Sequence, residues 1–404
     1  MPGCRVSADP RRLAGSALAA ALRDSRAVTL ARTFDLADWP VPEQPGVNRI
    51  DWELGHLAWF AEFWVLRGPH ASSRDGRFVE ATRPARIAGP DAVFDSSRLA
   101  HADRWRIEPP SRDVLAVRLE AQLEACIDAI PRTDDNDDAL YFHRLALMHE
   151  DMHGEAFAWL RSSLGWSSPA GIASLPVFAA AEPLRVDASS VSLGRSASQG
   201  GFAFDNERPE HRTDVAAFEI DAAPVTQGDF LAFVEAGGYD APEHWPGDAG
   251  RWRSESGARH PQRWSRAADG TWHTRWFDTV RPLALDAPMI HVNAFEAEAW
   301  CRWRGRRLPS AAEWTQAAGD PRFHWGRSVW EWTADDFLPH PGFAPGPYRD
   351  YSEPWFGDHR ELRGGSFATH ARLHDAAYRN FFTPYRSDVF AGFRSVAMPS
   401  PRRR

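Results

Sequence analysis

A chain of 404 residues, 43% hydrophobic and 25% charged, has ordinary globular composition and enough length for two domains with sizeable cores. Its formal net charge of −8 argues against nucleic acid and anionic membrane surfaces as partners. The three cysteines (Cys4, Cys126, Cys301) are far apart with no CxxC, which excludes a disulfide framework and a thiolate metal site and indicates a reducing compartment.

Residues 9–33, rich in Ala, Leu and Arg, predict a first helix, and a Pro-marked connection runs from Trp39 to Pro45. The second predicted helix, Arg49 to Leu66, carries His56 on an aromatic face with Phe60 and Phe63. Residues 68–110 are irregular and rich in Pro, Ser, Asp and Arg, a length of loop that points to function. Within it Arg98, His101, Arg104 and Trp105 are expected to face a substrate. A third helix is predicted over 112–130 and a fourth from Asp134 to Leu164. Four helices with one long crossing loop predict a bundle, whose facing helices commonly hold a metal site.

The fourth helix carries the most chemistry. His149 and His153 are four apart, so their imidazoles share one face, and Met148, Met152 and Phe157 flank them instead of solvating charges. Two neutral imidazoles at that spacing bind a divalent metal when a third ligand joins them, and His56 is the candidate third. The same residues also spell His-Glu-x-x-His, with Glu150 as the general base of a zinc protease. That alternative lacks a suitable third ligand, since Glu155 follows too soon in the same helix.

After Gly165 the pattern changes to short strand-like runs (Phe218–Ile220, Pro224–Thr226, Met289–Val292) between Gly/Pro/Asp turns, with helices predicted over Gln227–Ala236 and Ala294–Arg304. The indole-rich stretch 240–275 predicts short hairpins, and the domains are expected to span 1–168 and 169–404. No apolar run reaches membrane-spanning length and no basic-then-apolar leader pattern opens the sequence, so a cytoplasmic protein is expected.

The second half carries six ordered motifs: Pro224-Val-Thr-Gln-Gly-Asp-Phe230, Pro288 through Trp303, Arg307-Leu-Pro-Ser-Ala-Ala-Glu-Trp314, Val329-Trp-Glu-Trp-Thr333, Leu362 to Ala368 and Gly392-Phe-Arg394. Together they resemble the formylglycine-generating-enzyme-like domain, a variant of the C-type-lectin fold. Trp330 and Trp332 are expected in its core, and Arg363-Gly-Gly-Ser366 suits a tight backbone crossing. The first half, with its three histidines, resembles a DinB-like domain. The fusion resembles the ergothioneine-type sulfoxide synthases, which implies an α+β chain: a DinB-like four-helix bundle followed by a formylglycine-generating-enzyme-like (C-type-lectin-like) domain.

That resemblance implies that His56, His149 and His153 hold a non-haem Fe(II). The implied reaction is O2-dependent and forms a carbon–chalcogen bond at C2 of the imidazole of hercynine, the trimethylammonium betaine of histidine. Three departures stand out: Met152 replaces a typical Gln before the last histidine, Arg379-Asn-Phe-Phe-Thr-Pro384 replaces an Arg-Asn-Trp-Asp-x-Pro motif, and the early loop reads Asp95-Ser-Ser-Arg98 and His101-Ala-Asp-Arg-Trp105. With Trp52-Glu-Leu-Gly-His56 and Tyr351-Ser-Glu-Pro-Trp-Phe356, this set more closely resembles the selenoneine synthases, whose donor is a selenosugar; gamma-glutamylcysteine or cysteine is the alternative donor. Tyr348 and Tyr351 both fall where the family places a proton- or hydrogen-donating tyrosine, with Tyr348 preferred. Asn380, Phe381, Phe382 and Arg386 are candidate substrate contacts beside Met152, Arg98, His101 and Arg104. A non-catalytic lectin-like module would leave the histidines unexplained, and formylglycine generation would need cysteines where this domain has only Cys301. Nothing in the sequence sets an oligomeric state.

Overall fold

Asp9 opens the regular structure: its side chain accepts from the Arg11 backbone N–H and caps a 3-10 turn, Pro10–Arg12, before helix α1 runs over Gly15–Thr33. The predicted first helix is thus divided by Leu13 and Ala14. In this computed structural model, residues 9–132, 136–172, 174–178 and 181–399 are described. Cys4 and the predicted helix start at Asp134 lie outside them. Among the described residues, no helix is long and apolar enough to cross a membrane.

The chain forms two compact units. The first takes in the described residues up to Leu160, with Ala197–Phe204 and Pro345–Asp350. The second consists of Arg161–Ser196, Asp205–Ala344 and the chain from Tyr351 onward.

The first unit is a bundle of α1 with α2 (Ile50–Ala61), α4 (Arg112–Asp128) and α5 (Asp137–Leu164), and a single turn, α3, spans Asp91–Phe94. Helix α2 is apolar nearly all round and almost wholly buried, as such a helix must be. It runs on into a π-helical turn, Glu62–Leu66, a local form often found near functional sites. Asn136 accepts from the Asp138 and Ala139 N–H groups at the start of α5, and Asp137 and Asp138 complement the helix dipole there. Leu18, Leu22, Leu123, Leu140 and Leu147 close the core between α1, α4 and α5.

The long irregular stretch is stitched onto α2. A two-strand hairpin of β1 (His70–Ser72) and β2 (Val79–Ala81) leads to a segment held by four side chains of that region. Glu62, 2% exposed, accepts from the backbone N–H groups of Arg86, Ile87 and Ala88. Trp59 and Arg67 both donate to Asp91, and Trp52 Nε1 donates to Val93 O. The later segments return to this unit through Phe202 N to Arg11 O and Arg349 to Gly76 O.

In the second unit β3 (Leu184–Val186), β6 (Phe218–Ile220), β10 (Arg306–Arg307) and β15 (Val396–Ala397) form an antiparallel sheet ordered β10-β15-β6-β3. A hairpin joins β4 (Ser189–Leu193) to β5 (His211–Val215). A further sheet ordered β13-β12-β11-β14 holds β11 (Trp330–Asp336), β12 (Arg360–Gly364), β13 (Asn380–Phe382) and β14 (Ala391–Gly392). Trp314, Trp330 and Trp332 are buried, and the Arg394–Glu331 ion pair lies with them, completed by Trp314 Nε1. Gly364 and Gly365 have φ of 103° and 138°, and a Cβ on Gly365 would stand 2.5 Å from the His374 ring.

Helices α6 (Gln227–Glu235) and α8 (Ala294–Trp303) form where predicted, each opened by a capping box, and α9 spans Ala311–Ala317. Three local expectations change. The stretch 240–275 contains helix α7 (Asp248–Ser256) before the sheet of β7 (Trp264–Arg266), β8 (Trp272–Trp276) and β9 (Thr279–Pro282). Pro224–Thr226 and Met289–Val292 are not strands; only an isolated bridge joins Thr226 to Pro288. His291 has φ of 63°, which bends the chain out of the extended form.

Candidate metal centre

His56, His149 and His153 converge inside the first unit, with one ligand atom from each lying within 4.8 Å of the others. The i,i+4 spacing on α5 supplies two of them, and α2 supplies the third across the bundle. His56 Nε2 is 3.3 Å from His149 Nε2. His56 Nδ1 is 2.7 Å from Phe94 O, and a carbonyl can only accept, so Nδ1 carries the proton and Nε2 presents its lone pair. Gly55 makes this approach possible, because a Cβ there would stand 2.1 Å from the Phe94 ring. The His149 ring lies face to face on Phe60, with centroids 3.6 Å apart and planes 5° apart.

Burial pushes the His56 imidazole down to about 3 and that of His149 well below the ordinary histidine value, and neighbouring imidazoles add to both shifts. Neutral, lone-pair-bearing nitrogens are what a divalent transition metal requires, and two buried imidazoles and one half-buried imidazole bring such nitrogens together here. The donor set fits such an ion.

Glu150 does not join the histidines. Arg26 on α1 binds both its oxygens, Nε to Oε1 at 2.6 Å and Nη2 to Oε2 at 3.1 Å. The same guanidinium reaches Gln122 and Leu119 O on α4. Asp151 likewise accepts from Ser25 on α1. One turn of α5 therefore directs imidazoles to α2 and carboxylates to α1, which removes the general base from the zinc-protease reading.

A narrow cavity beside the histidines is lined by His56, Trp59, Phe60, Phe63, Trp64, Val79, Asp95, Ser96, Ser97, Tyr348 and Asp350. The Tyr348 ring meets Phe60 edge-on at 5.0 Å and lies 6.2 Å from the His149 ring, between centroids. Asp95 accepts from the Ser97 N–H and Oγ at one oxygen and from Arg98 at the other, fixing the loop tip that forms one wall. Met152 is partly buried on α5 beside His153.

The remaining loop residues turn to internal contacts. His101 Nε2 donates to Val47 O at 2.7 Å. Arg104, 9% exposed, donates to Asn48 Oδ1 at 2.5 Å and stacks 3.9 Å over the Trp52 ring.

Tyr351, Asn380, Phe381, Phe382 and Arg386 belong to the second unit. The Tyr351 hydroxyl is 3.1 Å from that of Tyr378, and burial and this neighbour push its pKa well above the ordinary tyrosine value. Strand alternation separates Phe381 from Asn380 and Phe382. Phe381 stacks on Phe337 at 4.1 Å between centroids, whereas Phe382 lies under the Arg386 guanidinium at 4.8 Å, itself paired with Asp388. The two phenylalanines therefore serve different faces of β13 and do not act as one aromatic wall.

Near the centre stand two residues that sequence reading did not single out, Asn48 and Glu53, the latter three residues before His56 and one helical turn away.

The fold and the site define a class: a helical bundle with a three-histidine centre fused to a formylglycine-generating-enzyme-like domain. Residues 20–156 match the DinB superfamily, and residues 172–328 and 325–399 match the sulfatase-modifying factor enzyme 1-like domain. The chain is 31% identical over 428 residues to a hercynine oxygenase of Mycobacterium tuberculosis, covering 93% of this chain and 97% of that one. It is 33% identical over 436 residues to a hercynine oxygenase of Mycolicibacterium thermoresistibile, covering 93% and 94%. A formylglycine-generating enzyme of Streptomyces coelicolor is 27% identical over 259 residues, covering 48% of this chain and 82% of that one. The chain belongs to the hercynine oxygenase family.

Proposed function

We propose that this chain is an Fe(II)- and O2-dependent oxidoreductase that joins the imidazole C2 of hercynine to the selenium of a selenosugar. The observation that carries the iron reading is the convergence of His56, His149 and His153, with the lone pair of His56 Nε2 fixed inward by the Phe94 carbonyl. Membership in a family of hercynine oxygenases supports the acceptor. When bound, an Fe(II) held by His56, His149 and His153 would supply activation of O2 and affinity for a soft chalcogen donor.

The chain's own groups hold and orient. Replacing C2–H and Se–H with C2–Se releases two electrons, and oxidation of selenium to the selenoxide releases two more. O2 takes up all four, one oxygen passing to selenium and one leaving as water. The Tyr348 hydroxyl is the proposed proton or hydrogen donor, supported by its place among Phe60, Trp64 and the His149 ring. Tyr351, bound to Tyr378, is the less suited of the two. Asp95, Ser96 and Ser97 offer hydrogen-bonding groups to sugar hydroxyls, whereas Arg98, His101 and Arg104 support the loop. The trimethylammonium group is suited to an aromatic face, and Asn380, Arg386 and Met152 are further candidate hercynine contacts.

The selenium reading rests on Phe382. An amino-thiol donor carries an ammonium, and burying that charge beside Phe in place of an acid costs several kcal/mol. A sugar carries none. Steady-state comparison under air is expected to give a far higher kcat/KM with a seleno- or thiosugar than with gamma-glutamylcysteine or cysteine, and Phe382→Asp should narrow that gap. Gamma-glutamylcysteine as the better donor would return the chain to the sulfoxide synthases. Tyr348→Phe should keep hercynine binding but slow synthesis or divert turnover to oxidation of the donor; an unchanged rate and product ratio would remove its role. The reading places the reaction in the cytoplasm.

A further inference from the structure

His153 differs from His56, whose Nδ1 is hydrogen-bonded to the Phe94 carbonyl. The His153 Nδ1 is buried with no hydrogen-bond partner, and the nearest carboxyl oxygen, Glu53 Oε2, stands 3.7 Å away. Glu53 is 3% exposed, on the first turn of α2, and a carboxyl group at such a place needs a partner. Its other oxygen accepts from Asn48 Nδ2 at 2.9 Å. The Asn48 carbonyl oxygen accepts from Arg104, Arg104 stacks over Trp52 at 3.9 Å, and the Trp52 ring lies parallel to His56 within 10°, at 5.1 Å between centroids. A closed circuit of polar and stacking contacts thus runs from His153 through Glu53, Asn48, Arg104 and Trp52 to His56.

We infer that Glu53 is the positioning residue of His153, accepting its Nδ1–H so that Nε2 faces the metal, and that Asn48 and Arg104 hold Glu53 in that task. This inference rests on the metal reading above. The two ligands are then held alike, each through Nδ1–H on a protein oxygen: His56 by the Phe94 carbonyl, His153 by a side chain. Outer carboxylates of this kind fix the tautomer and ring orientation of a ligating histidine and make it a stronger ligand. The movement needed is small, since 3.7 Å exceeds hydrogen-bond length by well under an ångström. The other role open to Glu53 is electrostatic support of the α2 N-terminus, which would act on helix stability and leave metal affinity alone.

The test uses the full chain, stripped by chelator and titrated anaerobically with Fe(II), and with Co(II) as a spectroscopic probe, against a competing chelator. Glu53→Gln is expected to weaken both metals by about 10- to 100-fold and to shift the Co(II) absorption bands, with the unfolding midpoint of the metal-free protein unchanged. Glu53→Asp, which keeps an acceptor, should recover part of the affinity, and Asn48→Leu should weaken binding by a smaller factor. Parent affinity and an unaltered Co(II) spectrum in Glu53→Gln, or a loss that follows the metal-free unfolding midpoint alone, would overturn the inference. If His149→Ala abolishes binding while Glu53→Gln does not change it, this inference fails and the metal reading stands. If the parent chain takes up neither metal, both fail.

Discussion

Helices α2 and α5 both bring histidine to one point, but they do so by different means. Helix α5 places His149 and His153 by its own periodicity and spends its other face on buried pairs, Glu150 with Arg26 and Asp151 with Ser25. Helix α2 has no such division: it is buried nearly all round, and His56 is aimed by a segment far along the chain, through Phe94 O. A ligand pair set by helical spacing is local and robust. A ligand set by a distant carbonyl depends on everything that holds that carbonyl in place, here Glu62, Asp91, Trp52 and the absence of a side chain at Gly55.

The largest effect expected on either helix is removal of a ligand. His149→Ala and His56→Ala should each lower Fe(II) affinity by more than the roughly 100-fold seen for losses outside the ligand shell, read by metal content after gel filtration. Stoichiometric iron in both variants would end the metal reading.

Next in size is the opposite face of α5. Glu150→Ala leaves the Arg26 guanidinium buried and unpaired, which should cost about 3–5 kcal/mol in denaturant unfolding. Metal uptake by the folded fraction should be unchanged. Loss of metal or of turnover without loss of stability would show that Glu150 serves the centre after all.

Two glycine substitutions sharpen the contrast further. Gly55→Ala forces a methyl group into the Phe94 ring and should cost about 1–3 kcal/mol while weakening metal binding, because the carbonyl holding His56 moves. On α5, a Cβ at Gly154 would meet nothing closer than 3.6 Å. Gly154→Ala should therefore be neutral or stabilise by up to about 1 kcal/mol, with metal affinity unchanged. Equal responses at the two glycines would erase the distinction between the helices. Thermal or urea unfolding with and without Fe(II) reads all four quantities.

Sequence by itself determined the features that repeat or that fit one fold. The helix bearing His149 and His153 followed from its spacing, the second-half domain from ordered motifs, and the buried Trp330 and Trp332 from the same motifs. Helices α6 and α8 were legible to within a residue or so, and the structure opens each with a capping box, at Thr226 and Asn293. What only the tertiary structure decided is non-local. Whether Glu150 points at a metal or at Arg26 depends on which helix lies over which face of α5, and the letters His-Glu-x-x-His carry no such information. Arg98, His101 and Arg104 looked like substrate contacts because exposed polar loops often are, yet Asp95, Val47 and Asn48 claim them once the loop is laid on α2. Phe381 and Phe382 were both candidate substrate contacts, and strand pairing with β12 sets them on opposite faces. Tyr348 and Tyr351, three residues apart, fall in different units, Pro345–Asp350 with the first and Tyr351 with the second. Apart from Asp95, three residues from Arg98, the deciding partners lie tens of residues or more away, and side-chain direction follows from packing that periodicity does not encode.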